Sequence, residues 1–179
     1  MSREEQSGKR PTPTGREARF EADELIVSKT DLKGRITYCN DIFLRVADFS
    51  EKEMIGAPHS AIRHPEMPRA VFKLLWDTIQ AKNEIFAYVI NMSRTGDHYW
   101  VLAHVTPSLS DSGEILGYHS NRRKPTDAAV RAIEGLYGTL NKIEDSAANR
   151  KDGMNAAFDH LVKTLDTKGL SYDEFVLSL

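Results

Sequence analysis

The chain has 179 residues, with 24 Lys plus Arg against 26 Asp plus Glu, a formal net charge of −2 and a single cysteine, Cys39. That length suits one core of roughly 100–150 residues plus appendages, and the near-balanced charge removes the usual electrostatic argument for nucleic acid or an anionic membrane surface. One cysteine makes neither an internal disulfide nor a Cys-based zinc site. The longest clean apolar run, Ile85 to Ile90, falls far short of the about 20 residues of a membrane span, and the polar N-terminus lacks a signal-peptide stretch, so a cytoplasmic protein without a membrane span is expected.

Residues 1–20 hold charges, Ser, Thr, Gly and prolines, with Phe20 as their only large apolar residue. Such a composition buries too little surface to offset ordering entropy and reads as a mobile leader. LIVSKTD and RITYC, joined across Asp31-Leu32-Lys33-Gly34, read as two short strands. Asn40-Asp41 offers an N-cap for a short helix carrying Ile42, Phe43, Val46 and Ala47, and Ser50 with Glu53 forms a capping-box pattern for a second. Val71, Leu74, Leu75, Thr78 and Ile79 then mark one face of a longer helix, with Pro65 and Pro68 tolerated at its first turn.

IFAYVINM, YWVLAHVTP and ILGYHSN follow, separated by the polar Gly turns at 95–97 and 110–113, and predict antiparallel hairpins. Beyond them, Val130, Ile133, Tyr137 and Leu140 make one amphipathic stripe. Met154, Phe158, Leu161, Val162 and Leu165 make another, ended by Gly169, and SYDEFVLSL reads as a last short helical segment. Each stripe needs a partner face: the sheet, the other helix or a second chain. The order predicts an α+β domain, one sheet covered on one face, with a C-terminal helical extension. Its divisions are a leader at 1–20, a core domain at 21–125, helices at 126–168 for signalling or dimerisation, and a short tail at 169–179.

None of the common catalytic signatures occurs: no H-E-x-x-H, G-x-S-x-G, Walker loop or G-x-G-x-x-G. The chain is therefore read as a non-enzyme. His98, His104 and His119 lie on neighbouring strands, open to a metal cluster or to ordinary strand histidines. Cys39 reads as a small core hydrophobe. The segment Arg63-His64-Pro65-Glu66-Met67-Pro68 places a guanidinium fork, an imidazole and a carboxylate at the start of a helix, either as an anion site or as an ordinary capped loop. Phe72, Trp76, Tyr99 and Trp100 supply flat apolar surface, whose usual fate is core packing. Asn91 interrupts an apolar strand, and its amide must bond backbone or face a polar ligand.

Together, TDLKGRITYCNDIF, RHPEMPRAVFKLLWDTI, TGDHYWVLAHVTP and GYHSNRRKPTD resemble the PAS domains of bacterial aerotaxis receptors over roughly residues 24–140. The resemblance implies a PAS fold with a five-stranded antiparallel sheet, non-covalent FAD, sensing of redox, oxygen or energy state, and signalling to protein partners such as chemoreceptor or kinase components. Matched by motif, Arg63, His64 and Glu66 fall in the family's cofactor loop, with Glu66 one methylene longer than the usual Asp. Trp76 matches its helix tryptophan, Asn91 its strand asparagine and Asn40 the asparagine opening the first short helix. On this reading Arg63 partners flavin or its phosphates and Asn91 a polar ring edge, with Phe72, Tyr99 and Trp100 completing the cofactor set.

The reactive cysteine of light-sensing flavin PAS domains has no match, so thiol photochemistry is not expected. Haem is the second cofactor, and a cofactor-free PAS dimerisation module the reading from a different class. The membrane anchor and signalling coiled coil of full receptors have no counterpart in the 179 residues. A stand-alone sensor, a homodimer that signals by association, is the expectation.

Overall fold

A computed structural model describes residues 11–179. Five strands, β1 (Ile26–Thr30), β2 (Ile36–Cys39), β3 (Ile85–Met92), β4 (His98–Leu109) and β5 (Ile115–Arg123), form one antiparallel sheet in the order β2-β1-β5-β4-β3. Between β2 and β3 run α1 (Asp41–Ala47), α2 (Glu51–Met54), a 3-10 turn (His59–Ile62) and α3 (Arg69–Gln80). After β5 come α4 (Asp127–Ser146), α5 (Arg150–Lys168) and α6 (Tyr172–Leu177). This is the expected order of elements.

The caps expected from sequence set the helix starts. Asn40 Oδ1 accepts the Phe43 amide at 3.0 Å and also the Val27 amide at 3.1 Å, while its Nδ2 donates to Leu25 O at 2.8 Å. One side chain thus caps α1 and fastens it to β1. Ser50 and Glu53 close the capping box of α2, and Gly169 ends α5 in the left-handed region at φ 66°, where a Cβ is costly. The long helix begins at Arg69, behind Pro68 as its N-cap.

Alternation along β3 and β4 sorts the sheet into two faces. Val89, Asn91, Ala103 and Val105 point to the α3 side, and Tyr88, Ile90, Trp100 and Leu102 to the other. The helices between β2 and β3 cover the first face. The appended α4 covers part of the second: Tyr137 Oη donates to Tyr88 O, and the Tyr137 ring lies 5.9 Å from that of Trp100. Ile133 and Leu140, on the stripe read from sequence, are fully buried there.

α5 turns back along α4 and reaches α3, where Lys73 sits 4.7 Å over the Phe158 ring. Its buried row is Gly153, Ala157, Leu161 and Leu165, while Val162 is exposed. The expected stripe through Phe158 and Val162 is therefore rotated. The reason is distance: a Cβ on Gly153 would lie 2.3 Å from Glu144 O, so small residues form the seam with α4. In α6, the segment read as a tail, Val176 is fully buried and Asp173 Oδ1 accepts the Phe86 amide at 2.9 Å on the edge of β3. The opposite edge, β2, is shielded by residues 56–58 through Gly56 N to Ile36 O at 2.8 Å and Ile36 N to Ala57 O at 2.9 Å. Both sheet edges are thus blunted against pairing with another chain.

Of the leader read from composition, residues 1–10 lie outside the described residues. The rest departs from a mobile tail. Thr14 N donates to Gly96 O at 3.0 Å, His98 N to Arg16 O at 2.9 Å and Ala18 N to His98 O at 2.8 Å, and Phe20 is buried in the core. Composition weighs apolar surface, whereas this stretch is held by its backbone, by Thr14 and Arg16 on the Asp97 carboxylate, and by one aromatic anchor. Among the described residues no helix is long and apolar enough to cross a membrane.

Candidate functional site

A cavity of about 710 Å³ lies between α3, the 3-10 turn and the inner face of the sheet. Its volume falls within the roughly 300–1,000 Å³ range of small-molecule sites. Leu75 and Ile79 of α3 with Val89, Ala103 and Val105 of the sheet form its apolar walls. Trp76 stands edge-on to Tyr118 with ring centroids 5.4 Å apart, and both line the cavity. Gly34 permits this placement: its φ is +73°, and a Cβ there would meet the Trp76 ring at 3.2 Å. Met154 of α5 contributes to the wall, so the C-terminal hairpin is part of the cavity and not only an appendage.

The charged lining is lopsided. Among the described residues Lys33, Arg63, Arg69, Lys73 and Arg122 stand against a single lining carboxylate, Asp77, which Lys73 pairs at 2.5 Å. Arg63 is held in place: its Nη2 donates to Met67 O at 3.0 Å, its guanidinium lies 4.1 Å over the Phe72 ring, and its backbone bridges that of Asn91. Arg69 is taken by Glu144, Nε to Oε2 at 2.7 Å.

Two polar groups in the lining stand out. Asn91 is 2% exposed and its Nδ2 has no hydrogen-bond partner among the described residues. Arg122 is equally buried, and its Nη1 likewise has none. Arg122 Nη2 donates to Ser28 Oγ and, at 2.6 Å, to His59 Nε2. Burial first, and the neighbouring guanidinium second, push the His59 imidazole down to about 3, so it stays neutral. Burial also lowers Arg122, to about 10, which leaves it charged at neutral pH. A native fold rarely leaves buried donors unpaired, because each forfeits its hydration without replacement. Two of them on residues that line one apolar cavity are what a ligand with hydrogen-bond acceptors would satisfy.

The sequence-predicted set divides on this geometry. Arg63, Phe72, Trp76 and Asn91 come together in the lining. Asn40 spends its amide on capping α1 and joining β1. His64 is buried beside His98, ring centroids 6.3 Å apart, and its Nδ1 accepts the Glu66 amide at 3.2 Å. Burial holds the His64 imidazole below the ordinary histidine range, with Glu66 opposing and His98 adding to the effect. Glu66 itself is exposed, its carbonyl bonded by Asn141 Nδ2 at 2.6 Å. Trp100 faces α4 across the sheet, since β-strand parity puts neighbours Tyr99 and Trp100 on opposite sides. Tyr99, on the inner side, is 1% exposed, its hydroxyl has no hydrogen-bond partner among the described residues, and burial pushes its ionisation up.

Sequence reasoning missed Ser28, His59, Tyr118 and Arg122. Arg122 stands in the run Arg122-Arg123-Lys124 that follows the last strand pattern, and only the inward parity it shares with Tyr118 and Ser120 could have singled it out. The strand histidines do not converge: His104 pairs with Glu84 at 2.7 Å and stacks on Phe86, while His119 meets Asn121. No group of three or more His, Cys, Asp or Glu able to hold a metal occurs among the described residues.

Comparison with known proteins agrees with this architecture. A family model described as PAS fold matches residues 36–122. The chain is 40% identical over 119 residues to the aerotaxis receptor of Escherichia coli strain K12, covering 66% of this chain and 23% of that one. It is 27% identical over 103 residues to the nitrogen fixation regulatory protein of Klebsiella pneumoniae, covering 58% and 21%. The matches thus span under a quarter of either relative's length. Among solved structures, a light-oxygen-voltage domain studied with a flavin analogue superposes with a TM-score of 0.55 at 15% identity, over 66% of this chain and 87% of that one. The PAS domain of a Colwellia psychrerythraea protein gives 0.53 at 17%, over 57% and 86%. The five-stranded sheet, its inserted helices and these matches together make the central part of this chain a PAS domain.

Proposed function

We propose that the PAS cavity holds a flavin, FAD, without a covalent bond, and that the protein is a cytoplasmic sensor of redox, oxygen or energy state, not an enzyme. The observation that carries this reading is that Asn91 Nδ2 and Arg122 Nη1, buried donors without a partner among the described residues, belong to residues lining one apolar cavity of about 710 Å³. An isoalloxazine ring is flat, apolar over most of its area and rich in carbonyl and ring-nitrogen acceptors at one end. Trp76, Leu75 and Ile79 suit its faces, Asn91 can meet a carbonyl and the adjacent ring N–H, and Lys33 with Arg63 can meet phosphates. When bound, the flavin supplies reversible electron uptake, while the chain binds it, orients it and excludes water.

The likeness to the aerotaxis receptor and to a domain studied with a flavin analogue supports the same reading. Haem is less well served: His59, which lines the cavity, already uses its Nε2 on Arg122. Signal output runs through association with protein partners, chemoreceptor or kinase components being the candidates, with aerotaxis as the corresponding output and a homodimer as the acting form. The path from cavity to surface is α3 and the hairpin α4–α5, which Met154, Glu144 and Phe158 join to the cavity wall.

The absorbance spectrum of the full chain, air-oxidised and then reduced with dithionite, tests the proposal. A flavin spectrum that bleaches on reduction and reappears in air is expected. Colourless protein that takes up neither FAD nor FMN on reconstitution overturns it, and a haem spectrum replaces it with the alternative cofactor.

A further inference from the structure

We infer that Arg122, carried by Ser28 and His59, is the seat for the acceptor-rich edge of the flavin ring and sets the charge that the bound ring feels. The inference rests on the flavin reading and deepens it. Arg122 lies near the end of β5, paired with Ile26 of β1 and Ala103 of β4, so its side chain leaves the middle of the sheet on the cavity side. Its Nη2 is spent on Ser28 and His59, and its Nη1 is unspent among the described residues. The Phe43 ring lies 5.5 Å from the guanidinium carbon.

Among the described residues no carboxylate pairs with this cation. Ser28 is a neutral hydroxyl, and His59 is kept neutral. Of the other titratable groups that face it, burial raises both Tyr99 and Cys39, so both stay protonated at neutral pH. A buried guanidinium with only neutral partners is expensive for a fold to keep, and the expense falls when a ligand brings acceptor atoms to it. His59 accepts from Nη2 and orients the fork, Nη1 has no partner among the described residues, and Arg122 lines the cavity.

The second anchor fixes the direction of the plate. Asn91 pairs with Tyr99 and Arg122 with Ala103, four residues apart along β4, or about 13 Å at the backbone. A ring whose acceptor-rich end is met by both the Asn91 amide and the longer-reaching Arg122 side chain has one orientation in the cavity. Because the cation adjoins the ring, it favours added negative charge there and holds the reduction potential up.

The test uses the full chain, reconstituted with FAD. Affinity is read from flavin fluorescence quenching, and the midpoint potential from titration with a reference dye, in wild type, Arg122→Gln and Arg122→Lys. Arg122→Gln is expected to weaken FAD at least tenfold and to lower the potential of the flavin that remains bound. Arg122→Lys, which keeps the charge and loses the fork, is expected to weaken FAD while holding most of the potential. Should Arg122→Gln fail to fold, 15N-arginine-labelled wild type gives the answer: FAD must shift the one guanidinium resonance that Arg122→Lys lacks, and an unmoved resonance overturns the inference. Wild type that binds FAD alongside an Arg122→Gln protein of equal affinity and potential defeats the Arg122 assignment alone. Wild type that binds neither FAD nor FMN defeats the flavin reading and this inference with it.

Discussion

Glu144, in the last turns of α4, accepts the backbone amide of Ala70 at 2.8 Å and the Arg69 Nε at 2.7 Å. Ala70 lies in the first turn of α3, where amides have no partner within the helix, and a carboxylate there also complements the helix dipole. The side chain is 4% exposed, so the contact is screened little by water. One residue thus ties the helix on the outer side of the sheet to the helix that walls the cavity. Glu144→Ala should cost about 2–4 kcal/mol, since it strands a half-buried guanidinium and a buried amide at once. Glu144→Gln, whose Oε1 still accepts from Ala70, should cost clearly less. Urea denaturation of the two variants checks the order, and equal losses would show that the amide bond contributes nothing.

The glycines of the hairpin give a matched set. Gly153 faces Glu144 so closely that a Cβ would lie 2.3 Å from its carbonyl oxygen, whereas Gly135 and Gly138, both inside α4, have nothing within 4 Å. Gly153→Ala should force α4 and α5 apart and destabilise the protein by about 1–3 kcal/mol, as overpacking does. Gly135→Ala and Gly138→Ala should each stabilise it by about 0.5–1 kcal/mol, the usual gain from removing a mid-helix glycine. Thermal melts decide it: three shifts of the same sign would contradict the geometry.

Much of the fold was legible because its signals are local. Asn40, Ser50 with Glu53, and Gly169 announce caps that the structure contains, and IFAYVINM coincides with β3. The site was legible where a residue's type is odd for its element, as with Asn91 in an apolar strand. It was not legible where the role comes from register. Tyr99-Trp100 reads as one aromatic patch, yet parity sends one side chain inward and the other to α4. Arg122 sits in a basic run, and only its pairing with Ala103 and Ile26 turns it into the cavity. Glu144 belongs to no apolar stripe at all, and its role depends on a helix start 74 residues earlier in the chain.

The two tryptophans separate site from scaffold. Trp76 lines the cavity and Trp100 packs on Tyr137 across the sheet. Bound flavin should therefore quench Trp76 emission most strongly. Titration of Trp100→Phe with FAD should keep nearly the full quench and an affinity within about threefold of wild type, whereas Trp76→Phe should lose most of the quench and bind more weakly. Trp76→Ala should bind weaker still, since it removes a wall and leaves the Tyr118 ring without its edge contact. A larger loss of affinity for Trp100→Phe than for Trp76→Phe would place the ligand on the outer face.

Acid should reach this protein first through His59. Its imidazole titrates near 6.5 when free and at about 3 in the fold, chiefly through burial and then through Arg122. Between those values the unfolded chain binds a proton that the folded chain refuses. Stability is therefore fully present above about pH 6.5 and falls as pH drops towards 3, by up to about 1.4 kcal/mol per pH unit for this one group. His64, also lowered, acts in the same direction. Glu53, held down to about 2 mainly by Ser50 and then by Arg94, also loses stability in acid, but only below its ordinary value of 4.5. The interval from about pH 5 to 6.5 thus isolates the histidines. His59→Gln should fold with a flatter pH dependence of its urea midpoint across that interval, the slope reduced by up to one proton while His64 supplies the remainder. An unchanged slope would mean that His59 titrates freely in the native protein and is not the neutral partner on which the Arg122 fork rests.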